Sequence, residues 1–134
     1  MKIIYLHQYF NTPSMPGGTR SYELGRRLAA IGHEVTVVTS SRSGRGGGWR
    51  VTHEDGLEIH WLPVPYSNHL RLPGRLKAFL EFSIRASVHS ARLPGDVVFA
   101  TSTPLSIIVP GLIASRARSR PMVFEVRDLW PLVP

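Results

Sequence analysis

Two short runs rich in β-branched and aliphatic residues, 2–7 and 34–39, enclose one stretch with helical periodicity, and this arrangement constrains the fold most tightly. Between them, residues 20–31 set Tyr22, Leu24, Leu28, Ala29 and Ile31 on one broad face, with Glu23, Arg26 and Arg27 elsewhere. Gly32 follows the last periodic residue, where a helix C-terminal cap belongs. A strand, a helix and a second strand joined this way form the right-handed crossover of a parallel sheet. The alternation then continues. Residues 57–62 read as a third strand, with Asp55-Gly56 as its leading turn. Pro63, Pro65 and Pro73-Gly74 break the chain before a second helix, roughly 75–92. A fourth strand at 96–100, an apolar helix at about 105–118 and a fifth strand at 122–126 complete the pattern, while 40–48 read as a flexible loop. The expectation is an α/β, Rossmann-like open sheet, mostly parallel, with helices on both faces.

At 134 residues the chain suits one domain, and it is short for a complete two-substrate enzyme. With 43% hydrophobic and 19% charged residues, it has the balance of an ordinary globular protein. The absence of cysteine excludes disulfides and thiolate metal sites. Sixteen Lys and Arg face nine Asp and Glu, a net charge of +7 that points to an anionic partner. Fifteen of the sixteen are easily placed on exposed loops and helix faces, and nearly all are Arg. A nucleic-acid partner would call for a recognisable module or aromatics interleaved with the arginines, and neither is present. The start of the chain lacks the pattern of a secretory leader. The longest apolar stretch, 105–114, is broken by Pro110-Gly111 and is about half of what spans a bilayer. The chain therefore reads as cytoplasmic or resting on a membrane surface.

Three constellations could carry chemistry. Gly17-Gly18-Thr19-Arg20 opens the first helix. Paired glycines let backbone approach a phosphate, and the helix start favours an anion. The spacing alone leaves open a tight turn with Thr19 as N-cap, and it matches neither the dinucleotide nor the Walker pattern. Glu125, Arg127 and Asp128 lie at the end of the last strand, where open α/β sheets place ligands; a structural ion pair there stays open. On the second helix Leu76, Phe79, Leu80, Ile84 and Val88 form an apolar stripe beside Arg75, Lys77, Arg85, His89 and Arg92. Such a helix either packs on the sheet or lies on an anionic membrane, and both can hold with Phe82 and the basic face turned outward. Among the histidines, none with metal-ligand spacing, His7 ends the first strand at the ligand edge and is a site candidate.

Taken together, 7–10 with 17–24, 32–39 and 124–131 (HQYF, GGTRSYEL, GHEVTVVT and FEVRDLWP) resemble the N-terminal domain of family-four retaining glycosyltransferases of the GT-B fold. The likeness is strongest to a bacterial surface-polysaccharide subgroup, some members of which are called fucosamine transferases. Segments 63–68 and 99–104 fit that subgroup too. The resemblance implies that 1–134 is the acceptor-side domain of a two-domain enzyme whose C-terminal, donor-binding domain, with its E-x7-E carboxylates, is absent here. It implies a nucleotide-sugar as co-substrate, a lipid-linked or glycan acceptor at the inner membrane face, and no metal or cofactor. Gly17, Gly18, Thr19 and Arg20, with His7 and Glu125, would meet the donor diphosphate or substrate, and Arg127-Asp128 would sit beside the transferred sugar as the catalytic pair. Many family members carry His where this chain has Arg127. Lys77, Arg85 and Arg92 would face the membrane. Alone, such a half is expected not to turn over, because positioning both substrates in a closed cleft is most of what the catalysis consists of. A non-catalytic module binding phosphate or lipid-linked sugar is the alternative.

Overall fold

The structure is a computed structural model, and it describes residues 1–42, 47–64, 69–102 and 104–127. In chain order the elements are β1 (Lys2–Leu6), α1 (Arg20–Ala30), β2 (Glu34–Ser41), β3 (Arg50–Glu54), β4 (Leu57–Pro63), α2 (Leu72–Arg92), β5 (Val97–Thr101), α3 (Ile108–Ala117) and β6 (Met122–Glu125). A single 3-10 turn, Leu105–Ile107, leads into α3. The six strands form one sheet in the order β3-β4-β2-β1-β5-β6. All neighbours are parallel except β3 and β4. The expected α/β, mostly parallel sheet is therefore present.

Alternation along β1 splits the core into two layers. Ile4 and Leu6 join Ala78, Phe82 and Ala86 of α2 and Ala114 of α3 on one face. Ile3 and Tyr5 join Tyr22, Leu24 and Leu28 of α1 on the other. So α1 covers one face while α2 and α3 cover the opposite one, as side chains of period two require. Gly32 ends α1 at φ +104, with Gly32 N–H donating to Ala29 O (3.1 Å) and His33 N–H to Leu28 O (3.2 Å). That is a Schellman cap, which needs the left-handed conformation glycine tolerates. Gly111 lets α3 approach the sheet closely: a Cβ there would lie 2.9 Å from Met122 Sδ and 3.1 Å from Ala100 Cβ.

Three expectations need correction. Residues 50–54 form a sixth strand, antiparallel on the outer edge, and Asp55-Gly56 is the tight turn of a β3–β4 hairpin. Both turn residues have positive φ, +49 and +81, as a type I′ turn demands. Helix α2 starts at Leu72, three residues before the expected boundary, because Pro73 is tolerated in a first turn that needs no N–H there. Phe82 does not face outward. It is fully buried against the sheet with Ala78, Ser83 and Ala86, whereas Leu76, Leu80, Ile84 and Val88 are each about half exposed or more. Among the cations, the count leaves room for one that is not on an outer loop or helix face, and Arg120 is only 5% exposed. Its guanidinium donates to Ala114 O (2.9 Å), Leu93 O (2.8 Å), Ser90 O (2.9 Å) and, at 3.4 Å, Gly95 O. It thus ties together the C-terminal ends of α2 and α3, where partial negative charge accumulates.

Candidate functional site

Chain direction places the site. From β1 the chain crosses to β2 on one side, and β5 pairs with β1 on the other, so the loops leaving β1 and β5 diverge. This is a topological switch point, the crevice at which open α/β sheets hold ligands. The residues named from the sequence that converge here are His7, Arg20, Glu125 and Arg127.

Arg20, the first residue of α1, forms a two-pronged ion pair with Glu125, the last residue of β6: Nη1 to Oε1 is 2.5 Å and Nη2 to Oε2 is 2.8 Å. The pair joins residues 105 apart in sequence. Thr101 Oγ1, fully buried at the end of β5, donates to Glu125 Oε1 at 2.7 Å. With two guanidinium N–H groups and a hydroxyl on it, the Glu125 carboxyl is held down to about 2, chiefly by Arg20. The strand ends at Glu125, so alternation no longer governs Arg127. Instead Arg127 N–H donates to Ser102 Oγ (2.8 Å), and Ser102 N–H donates to Glu125 O (3.0 Å). Thr101 and Ser102 therefore fix the direction in which the chain leaves β6. The sequence reading made neither a site candidate, since a hydroxyl residue at a strand end is common and Ser102 lacks the context of a nucleophile elbow. Asp128 and Trp130-Pro131 lie outside the described residues, as do 65–68 and Thr103.

His7 sits just beyond β1, 7% exposed, with its N–H donating to Val38 O (3.2 Å). Burial pushes the imidazole down to about 4, and Arg127 adds to the effect, so His7 is neutral at physiological pH. Its Nδ1 has no hydrogen-bond partner. The Tyr5 hydroxyl and Ser21 Oγ lie close together, without hydrogen-bond geometry between them, and neither has a partner. Buried polar atoms are nearly always paired. Three unpaired ones, two at the end of β1 and one in the first turn of α1, form a polar layer beside the Arg20–Glu125 pair.

The glycine loop is shaped by Asn11. Asn11 Nδ2 donates to Gly18 O (3.1 Å), and Arg42 Nη2 donates to Asn11 Oδ1 (2.9 Å). Gly17 has φ +115, and a Cβ there would lie 2.6 Å from Asn11 Nδ2. Gly18 is exposed, with open space where a Cβ would stand. Thr19 occupies the N-cap position of α1 but makes no side-chain cap hydrogen bond. The first-turn N–H groups are therefore left to another acceptor.

Lys77, Arg85 and Arg92 lie on α2, away from the switch point. Lys77 and Arg92 are exposed; Arg85 pairs with Glu81 (3.7 Å) and donates to Gly47 O (3.2 Å). Beside them Leu76, Leu80, Ile84 and Val88 of α2, with Val109 and Ile113 of α3, line an open apolar groove of about 760 Å³. No helix among the described residues is long and apolar enough to cross a membrane. No group of three or more His, Asp or Glu among them is arranged to hold a metal ion.

A family model described as a glycosyl transferase 4-like domain matches residues 17–134. No curated protein matches the chain. Among solved structures, it resembles the C-terminal domain of a hydrogenase from Pyrococcus furiosus, at 16% identity over 92% of this chain and 90% of that one, with a TM-score of 0.65. It resembles sucrose-phosphate synthase from Thermosynechococcus elongatus at 14% identity, covering 96% of this chain and 33% of that one, with a TM-score of 0.61. A third likeness is to an E. coli structure described as trehalose-6-phosphate bound with UDP-2-fluoro glucose, at 12% identity over 92% and 32%, with a TM-score of 0.58. The chain spans about a third of the length of the last two. At these identities the structures speak for the fold, and the family match speaks for kinship.

Proposed function

The chain belongs to the glycosyl transferase 4-like domain family, and on that premise we propose that it is the N-terminal, acceptor-side half of an enzyme moving a sugar from a nucleotide-sugar to a lipid-linked or glycan acceptor. A C-terminal donor-binding domain completes the cleft. The setting is bacterial surface-polysaccharide synthesis, in the manner of the fucosamine transferase subgroup, at the cytoplasmic face of the inner membrane. The nucleotide-sugar is a co-substrate, and the reading calls for no metal or cofactor.

The observation that carries the reading is the assembly at the β1–β5 switch point. There the start of α1 with its uncapped N–H groups, the Gly17-Gly18 loop, neutral His7, and the Arg127 turn held by Ser102 converge. Uncapped helix N–H groups and a guanidinium suit diphosphate oxygens. A neutral buried imidazole suits a sugar hydroxyl. Arg127 and Asp128 are assigned beside the transferred sugar.

Peripheral membrane attachment is supported by the half-exposed aliphatic residues of α2 and α3 next to exposed Lys77 and Arg92. Such a surface suits an anionic bilayer, where each nearby cation contributes on the order of 1 kcal/mol. Flotation on anionic vesicles should be lost when Leu80 and Ile84 are both changed to Ser, and weakened when Lys77, Arg85 and Arg92 are. Unchanged flotation of both variants would remove the membrane from the proposal.

The transferase reading is tested by joining the chain to the donor-binding domain of a family member and assaying sugar transfer. Transfer is expected from the pair and not from this chain alone. Equal transfer by both would overturn the assignment of this chain as an incomplete half.

A further inference from the structure

Glu125 occupies the position that an anionic ligand of this site would take. Its carboxylate grips the guanidinium of Arg20, the first residue of α1, with both oxygens, and takes a third hydrogen bond from Thr101. A two-pronged guanidinium joined by a hydroxyl is a donor set that also suits a phosphate. Arg20 is half exposed at 54%, so an incoming anion can reach it from solvent. Beside the pair, His7 Nδ1, the Tyr5 hydroxyl and Ser21 Oγ are buried and unpaired, on residues no more than 7% exposed.

We propose that the Arg20–Glu125 pair is a closed latch in which Glu125 is an internal stand-in for a phosphate or diphosphate group. The inference rests on the proposed function, in that the anion belongs to the nucleotide-sugar, and it adds how the empty site is held shut. An arriving phosphate oxygen displaces Glu125 from Arg20. The guanidinium turns to the anion, the released carboxylate moves into solvent, and the unpaired layer becomes accessible to the rest of the ligand. A ligand that must first displace an internal competitor binds more weakly, by the fraction of molecules in which the site is open. Removing the competitor therefore strengthens binding, whereas removing a residue that holds the ligand weakens it.

The probe is inorganic pyrophosphate, titrated calorimetrically into this chain and its variants, with melting curves to confirm folding. Glu125→Gln should tighten binding about tenfold, since the latch no longer lowers the open fraction. Thr101→Val, which loosens the carboxylate without changing charge, should shift affinity the same way by a smaller factor. Glu23→Gln removes an equal charge from the first turn of α1 without touching the Arg20–Glu125 pair, so it should change affinity less than about twofold. Arg20→Gln should abolish the gain when combined with Glu125→Gln. Equal affinity of wild type and Glu125→Gln, weaker binding by Glu125→Gln, or an equal gain from Glu23→Gln would each overturn the latch while leaving the anion site standing. Absence of pyrophosphate binding in every folded variant would overturn the latch and the diphosphate assignment together.

Discussion

Arg120 gives the sharpest quantitative prediction, because its substitution separates the scaffold from the site. It is a buried cation whose described side-chain hydrogen bonds all go to carbonyl oxygens at the ends of α2 and α3 or in the loop just after α2. Burial and Arg118 both lower its pKa, and it stays charged because those carbonyls solvate it. Three of its bonds are 2.9 Å or shorter. At about 1.5–3 kcal/mol for each hydrogen bond to a charged group, their gross value is roughly 4.5–9 kcal/mol. The cost of desolvating the guanidinium offsets part of this, and water can reach some of the carbonyls once the side chain is gone. Arg120→Met should therefore lose about 3–5 kcal/mol, a large share of the 5–15 kcal/mol typical of a domain. Arg120→Lys should fall between, since one ammonium cannot span acceptors that a planar fork reaches. Urea unfolding followed by circular dichroism measures the loss. Pyrophosphate affinity of the folded variant should be unchanged, because the helix ends lie at the opposite edge of the sheet from the crevice. A loss below about 1 kcal/mol would refute the reasoning, showing that the helix ends are stable without the guanidinium.

The remaining predictions concern pH and the loop. His7 and His89 are both pushed down to about 4 from the ordinary histidine value, chiefly by burial. The unfolded chain therefore binds protons that the fold refuses. Their contribution is complete above about pH 6.5 and is lost as pH falls toward 4, at most about 3 kcal/mol for each. His7→Gln should flatten that part of the acid limb in urea titrations, and an unaltered limb would contradict the buried, neutral assignment. Gly17→Ala should cost about 1–2 kcal/mol and disturb the Asn11–Gly18 hydrogen bond, because φ is +115 and the added Cβ meets Asn11. Gly18→Ala faces open space and should be nearly silent in the same denaturation assay; equal losses would show that loop geometry is not what sets the cost.

How much of this was legible in the sequence depended on whether an element speaks through its own periodicity. β1, α1 and β2 did, since each buries a face whose spacing matches its geometry. β3 did not: it is the end strand of the sheet and its residues are mostly exposed, so selection for burial left no alternation to read. The signal that could have found it was Asp55-Gly56 followed at once by a strand, which favours a hairpin as much as a leading turn. For α2 the periodicity was visible, yet spacing cannot say which of two faces meets the sheet. The sheet takes the small face with Phe82, letting the helix approach, and leaves the larger aliphatic ridge outside. At the site, Arg20 and Glu125 were each named, but a contact across 105 residues depends on strand order, which short motifs do not encode. Thr101, Ser102 and Asn11 were not site candidates because their roles exist only once three loops meet. Nothing local singled out Arg120 among the sixteen cations as the buried one.

The central claim is that ligand recognition occurs at the β1–β5 switch point, and amide chemical shifts of the labelled chain test it most directly. On titration with a nucleoside-diphosphate sugar, the account predicts shifts concentrated at His7, Gly17 to Ser21, Ser102 and Arg127. The opposite edge around Lys2, His33 and Glu34 should stay silent. Shifts confined to that opposite edge, or to the groove between α2 and α3, would contradict it.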